Sequence, residues 1–170
     1  MEHGGKVLVA PRSLAGRGEV ALLADPEGAL FAVIHSASGD PLDYLAEDNQ
    51  WMWIELWAKD PKTMATFYSG LAGYEVNPTP MSNGKTAYQL ASGGYARCNI
   101  IPTPEPGHPS AWLPFLRVHN VKASVVAVVQ AGGRVIVEPD PEVRAGTTAL
   151  IIDPTGAAIG LVQGSEDGKP

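Results

Sequence analysis

An ungapped internal repeat constrains this chain more than any other feature. Residues 3–35 (HGGKVLVAPRSLAGRGEVALLADPEGALFAVIH) lie over residues 131–163 (AGGRVIVEPDPEVRAGTTALIIDPTGAAIGLVQ) at a constant offset of 128, and 12 of the 33 aligned pairs are identical. The identities include Gly4/Gly132, Gly5/Gly133, Val7/Val135, Pro11/Pro139 and the run Asp25-Pro26-x-Gly28-Ala29 over Asp153-Pro154-x-Gly156-Ala157. Such self-similarity settles architecture before composition does, because both copies must build the same local structure. A strand and a helix are expected ahead of the second copy, whereas only Met1 and Glu2 precede the first. The chain is thus expected to begin halfway through a repeating unit, with its natural start either at Met1 or a module and a half upstream.

Local patterns fill in the unit. Residues 6–11, 19–24 and 29–35 read as strands, and Asp25-Pro26-Glu27-Gly28 has the residue order of a type I turn. Residues 36–50 are polar and turn-rich and read as a linker. Residues 51–58 (WMWIELWA) read as an aromatic-rich strand. Asp60 followed by Pro61 predicts a capped helix start, running to about Leu71 with Met64, Phe67, Tyr68 and Leu71 in the core. Strands are expected at 74–79, 85–91 and 95–101, joined by turns at Asn83-Gly84 and Gly93-Gly94. A proline-rich crossing over 102–110 leads to a second round: strand 112–118, cap Asn120, helix 121–131, strands 134–138, 147–152 and 157–163. The second helix is expected to bury Val121, Val125, Val128 and Val129 and to stop at Gly132-Gly133. The fold class is α+β: two strand–helix–three-strand (βαβββ) modules behind a partial module of three strands. The expected divisions are 1–35, a linker at 36–50, and a paired domain at 51–164 with modules 51–101 and 111–163.

Composition narrows the function. The net charge is −6 with no basic run, which argues against nucleic-acid and anionic-membrane surfaces, since phosphate binding needs clustered Lys and Arg. One cysteine, Cys98, excludes an internal disulfide and a multi-cysteine zinc site, and it reads as a small buried hydrophobe. No signal peptide and no apolar span is present, so a cytoplasmic location is expected. Two tryptophans, Trp53 and Trp57, stand four apart on one predicted strand face. Glu55 lies between them, and Leu113, Phe115 and Arg117 hold matching positions on the second unit's first strand. Met52, Ile54 and Leu56 then face the helix.

The motifs WIELWAKDPKTMATFYSGLAGYEV, AWLPFLRVHNVKASVVAVVQAGGRVIVEP and ALIIDPTGAAIGLVQ together resemble the vicinal oxygen chelate superfamily, also called the glyoxalase/bleomycin-resistance fold. The resemblance covers residues 51–163 as a paired module and 3–35 as half of one, and is closest to tandem, hydroxylase-like members. It implies that each module curls into a half-barrel and that two modules enclose a small-molecule pocket. It also implies where a metal would be held: seven residues before the helix cap, and seven after the Asp of the Asp-Pro turn. Here those positions are Trp53, Leu113, Gly160 and Ala32, none a ligand for a divalent ion. His3, His35, His108 and His119 fall near termini, linkers and strand ends and read as solvated. No metal and no cofactor is therefore expected.

The expected ligand-binding residues are Trp53, Trp57, Tyr88, Tyr95, Arg97, Asn99, Phe115 and Arg117, around a small organic ligand that is aromatic or cationic. Glu55 is either the catalytic base of a metal-free enzyme, with arginine stabilising negative charge, or half of an ion pair with Arg117 or Arg97. Three functions follow: a metal-independent binding protein, a metal-free enzyme, or a structural or regulatory module of a tandem protein. The exposed strand edge and apolar face expected of residues 3–35 favour a homodimer or packing on the chain's own second domain.

Overall fold

The computed structural model describes residues 4–164 except 41, 44, 105 and 106; His3 and part of the proline-rich crossing fall outside the described residues. The strands are β1 (Lys6–Leu14), β2 (Gly18–Ala24), β3 (Leu30–Ser36), β4 (Trp51–Ala58), β5 (Glu75–Pro80), β6 (Thr86–Ser92), β7 (Tyr95–Pro102), β8 (Ala111–Val118), β9 (Arg134–Val137), β10 (Thr148–Ile152) and β11 (Ala158–Gln163). Helix α1 (Pro61–Ala72) follows β4, and α2 (Val121–Gln130) follows β8. Two βαβββ runs stand behind three antiparallel strands, as the repeat requires. The chain divides into two compact units, Met1–Asp43 with Glu55–Trp112, and Tyr44–Ile54 with Leu113–Pro170.

In the first unit, β5, β6, β7 and β4 lie side by side, and β7 runs parallel to β4. Helix α1 starts where it does because Asp60 accepts hydrogen bonds from Thr63 N (3.1 Å) and Thr63 Oγ1 (2.6 Å), with Pro61 at the first helical position. Those bonds hold the Asp60 carboxyl below its ordinary value, the Thr63 hydroxyl contributing most. The helix ends at Gly73, whose φ of 69° suits a residue without Cβ and lets its N–H reach Ser69 O. Met64, Ala65, Phe67 and Tyr68 are buried with Leu56, Ala58, Leu90, Cys98 and Ile100. Leu71 is 44% exposed, so the apolar stripe of α1 stops one turn earlier than its spacing predicts.

The N-terminal sheet, order β1-β2-β3, packs on this same helix. Phe31 of β3 meets Phe67 at 6.2 Å and Tyr68 at 5.3 Å between ring centroids, both edge to face. Backbone approach here is close: a methyl group at Gly5 would press on the Phe67 ring. The repeat explains which face docks. Phe31 corresponds to Ile159, which packs in the α2 core, so the first copy turns its helix-packing face to a helix it does not own. Of the two outcomes expected for residues 3–35, packing on the chain itself is observed. The other face keeps Leu30 and Ile34 exposed, at 57% and 54%.

In the second unit β8, β11, β10 and β9 lie side by side, with β8 parallel to β11. Asn120 caps α2 through Ala123 N (2.9 Å), and Val121 and Val125 pack on Ala149, Ile151 and Leu161. Val129, expected in this core, is 56% exposed, because the 10-residue helix turns it outward. Met52 and Ile54 are also exposed, at 40% and 37%; only Leu56 of the expected helix-facing set is buried against α1.

Candidate functional site

Strand parity in the first unit assigns a helix face and an opposite face. Leu56, Leu90, Cys98 and Ile100 pack on α1, so Glu55, Trp57, Gln89, Asn99 and Asn77 point the other way. The register lines four of these up. Asn77 stands opposite Gln89, Gln89 opposite Asn99, and Asn99 opposite Glu55, a polar row crossing β5, β6, β7 and β4. Exposure falls along it, from open Asn77 through half-buried Gln89 and Asn99 to Glu55 at 5%. Beside the row lie Ala87, opposite Thr79, and Ile101, opposite Trp57. Trp57 is half-buried, and its Nε1 is enclosed without a hydrogen-bond partner among the described residues. An enclosed N–H of that kind costs stability until an acceptor meets it.

Tyr88 departs from its expected role. It stands opposite Pro78 and Ile100 and packs against the α1 core, because Leu90, two residues on, fixes this parity. Its neighbour Gln89 holds the place intended for it. Tyr95 is 62% exposed at the end of β7, with the Arg97 guanidinium 5.6 Å from its ring centroid.

Both arginines are engaged by carboxylates from the segment read as a linker. Arg97 donates to both oxygens of Asp43, at 2.6 and 3.0 Å, and this hydrogen bonding holds the Asp43 carboxyl below its ordinary value. In the second unit, Arg117 donates Nε to Asp48 (3.1 Å) and NH1 to the Ala46 carbonyl (2.9 Å). Asn49 N and Gln50 O complete backbone hydrogen bonds with Arg117, so residues 46–50 run beside β8. His119 Nδ1 lies 3.3 Å from the same Asp48 on an imidazole that is otherwise open to solvent. The remaining expected residues of this unit are Trp53, half-buried, and Phe115, buried at 6%. A methyl group at Gly160 would overlap the Phe115 ring, so the ring occupies the space beside that glycine.

The same register tests the metal that the fold implies. Asn99 faces Glu55, five residues before the cap of α1; Gly160 faces Phe115, five residues before the cap of α2. The first pair offers one carboxylate and one carboxamide, the second no donor. Among the described residues no group of three or more His, Cys, Asp or Glu side chains is gathered to hold a metal ion. This donor set does not fit a divalent cation. Cys98 is no ligand candidate either: it faces α1, and burial pushes its thiol up to about 11.

A second polar cluster sits where the N-terminal sheet meets α1. Asp25, 2% exposed, accepts from the Tyr68 hydroxyl (3.0 Å), which in turn accepts from Trp112 Nε1 (3.1 Å). Burial, then the Asp25 charge, raises the Tyr68 phenol well above its ordinary value. Glu27 accepts from the backbone N–H groups of Lys59 and Asp60, both at 2.7 Å, and from the Ser110 hydroxyl. Every acceptor here meets a protein donor, the pattern of a docking joint rather than of a reaction centre.

Residues 52–162 match the model of the glyoxalase-like domain, and the chain belongs to that family. It is 29% identical over 164 residues to the anthracycline biosynthesis protein DauV of Streptomyces sp. (strain C5), covering 94% of this chain and 58% of that protein. It is 24% identical over 160 residues to "Putative glyoxylase CFP32" of Mycobacterium tuberculosis, covering 94% of this chain and 61% of that one. The chain thus spans about three-fifths of the length of these relatives. The crystal structure of the 2,3-dioxygenase LapB from Pseudomonas sp. KL28 shares the fold, with a TM-score of 0.59 at 14% identity over 99% of this chain and 67% of that one. No helix among the described residues is long and apolar enough to cross a membrane.

Proposed function

We propose that this chain is a metal-independent small-molecule-binding protein of the glyoxalase-like family, holding its ligand on the face of β4–β7 turned away from α1. The observation that carries this reading is the carboxamide row beside the half-buried indole of Trp57. Apolar flanks with a few convergent polar groups are what small-molecule sites generally offer. The name of DauV associates that relative with anthracycline biosynthesis, in keeping with an aromatic ligand. A homodimer in the cytoplasm completes the reading. The exposed apolar residues Leu30 and Ile34 on the outer face of the N-terminal sheet support the dimer, and a single buried free thiol suits a reducing compartment.

The test is thermal shift of metal-stripped protein against Fe²⁺, Zn²⁺, Ni²⁺ and Mn²⁺, then against a panel of aromatic and cationic metabolites. A specific ligand stabilises the folded state as RT ln(1 + [L]/Kd). We expect no response to metals and a shift from an organic ligand that Trp57→Ala removes. A stoichiometric metal response overturns metal independence, and silence across the whole panel overturns the binding role. Sedimentation at micromolar concentration tests the dimer.

The burial of Glu55 favours a second reading, a metal-free enzyme with this carboxylate as general base. Glu55→Gln then abolishes turnover of the bound compound while leaving its affinity nearly unchanged. Loss of affinity and stability together assigns Glu55 to structure.

A further inference from the structure

Resting on the binding role just proposed, the geometry points, we infer, to one ligand class: linearly fused aromatic rings, neutral or cationic, with hydroxyl or carbonyl oxygens along one edge. The row sets the pattern. Neighbouring strands lie about 4.8 Å apart, so the side chains of Asn77, Gln89 and Asn99 are anchored at that interval along the row. Each amide both donates and accepts, which suits hydroxyl and carbonyl oxygens alike. Oxygens on alternate rings of a linearly fused system repeat at nearly the same interval, so one edge can meet successive strands in step.

Other classes fit less well. A carboxylate or phosphate needs a cation, the row supplies none, and Arg97 is already held through both oxygens of Asp43. A plain hydrocarbon would leave the half-buried amides of Gln89 and Asn99 without partners, which sites built on polar groups reject strongly. A pyranose can lay a C–H face on an indole but carries hydroxyls around its whole rim, which sets some of them against Ala87 and Ile101 beside the row. A flat ring system with one oxygenated edge satisfies both the row and that flank, and its body can lie against the indole.

The probes are 1,8-dihydroxyanthraquinone, with three oxygens along one edge; anthracene, with none; and anthraquinone-2-sulfonate, which is anionic. Binding is read by tryptophan fluorescence and calorimetry in matched co-solvent. The expected result is that the dihydroxy compound binds at least tenfold more tightly than either other probe. Gln89→Leu and Asn99→Leu should each weaken it about tenfold, the worth of one buried hydrogen bond. Gln89→Ala and Asn99→Ala keep the test informative if a leucine variant fails to fold, while Asn77→Ala, one strand beyond the reach of this probe, should leave binding nearly unchanged. Equal affinity for anthracene, preference for the sulfonate, or indifference to substitution at both Gln89 and Asn99 overturns the inference. If the dihydroxy compound does not bind but another metabolite from the wider panel does, the ligand class falls and the binding role stands. If nothing binds, both fall.

Discussion

The turns Asp25–Gly28 and Asp153–Gly156 share a sequence skeleton and an internal geometry, yet end in different surroundings. In each, the Asp Oδ1 accepts from the N–H groups two and four residues on, at 2.8 to 2.9 Å, and the glycine N–H returns to the Asp carbonyl at 3.0 Å. Beyond that they part. The second oxygen of Asp25 meets Tyr68 in a buried joint, and Glu27 holds the start of α1. Thr155, which stands where Glu27 does, folds back on Asp153 instead, at 2.7 Å. The backbone of the repeat follows from residues both copies share; the docking of the first copy adds positions where they differ, Phe31 for Ile159 and Glu27 for Thr155, to the shared Asp25.

The sharpest way to break this comparison is to remove the helix side chain that only the first copy leans on. Phe67→Ala, which uncouples two sheets at once, should cost about 3–5 kcal/mol in urea unfolding. Val129→Ala on exposed α2 should stay within about 0.5 kcal/mol. Asp25→Ala leaves the Tyr68 hydroxyl and two backbone donors unanswered and should cost about 2–3 kcal/mol, against a smaller loss for Asp153→Ala; equal losses would show that the joint adds nothing to the turn. Glu27→Ala should cost about 1–2 kcal/mol through the two N–H groups it frees, with Thr155→Ala milder. Acid offers a gentler probe. The Asp60 carboxyl titrates lower when folded than when unfolded, so its contribution is complete above about pH 4 and vanishes as pH falls through the folded value. Circular dichroism on Asp60→Asn should therefore show a flatter acid limb than the parent. At the other extreme Tyr68 favours its neutral form when folded, so its contribution is whole below about pH 10 and is lost as pH rises beyond that. Ultraviolet titration should find this phenol ionising only with unfolding, and Tyr68→Phe should remove that step. The smallest effect belongs to Asp43→Asn: stability barely moves, while Arg97 is released and affinity for an anionic aromatic rises.

Much of the fold was legible because it rests on short-range signals. Repeat, caps and turns located every strand and both helices to within a few residues. The candidate site was legible only in part. Trp57, Glu55 and Asn99 sit on the face opposite α1, whereas Tyr88 lies on the α1 side and Gln89 stands in the row in its place. The signal was present: Gln89 lies between apolar Tyr88 and Leu90, as Asn99 lies between Cys98 and Ile100. Asp43 and Asp48 left no comparable trace, because a polar segment looks alike whether its carboxylates are solvated or paired. The exposure of Val129 and Leu71 was hidden for the opposite reason. Helical spacing shows which side chains share a stripe, not how far along the stripe the sheet extends.

One consequence follows from where Cys98 lies. Its thiol is shut beneath α1, among Leu56, Leu90 and Ile100, and resists ionisation. A thiol-specific label can reach it only when the layer between the two sheets parts. Labelling rate thus acts as a clock for that opening, and a rate equal to that of global unfolding would show that α1 leaves its sheet only when the whole unit unfolds.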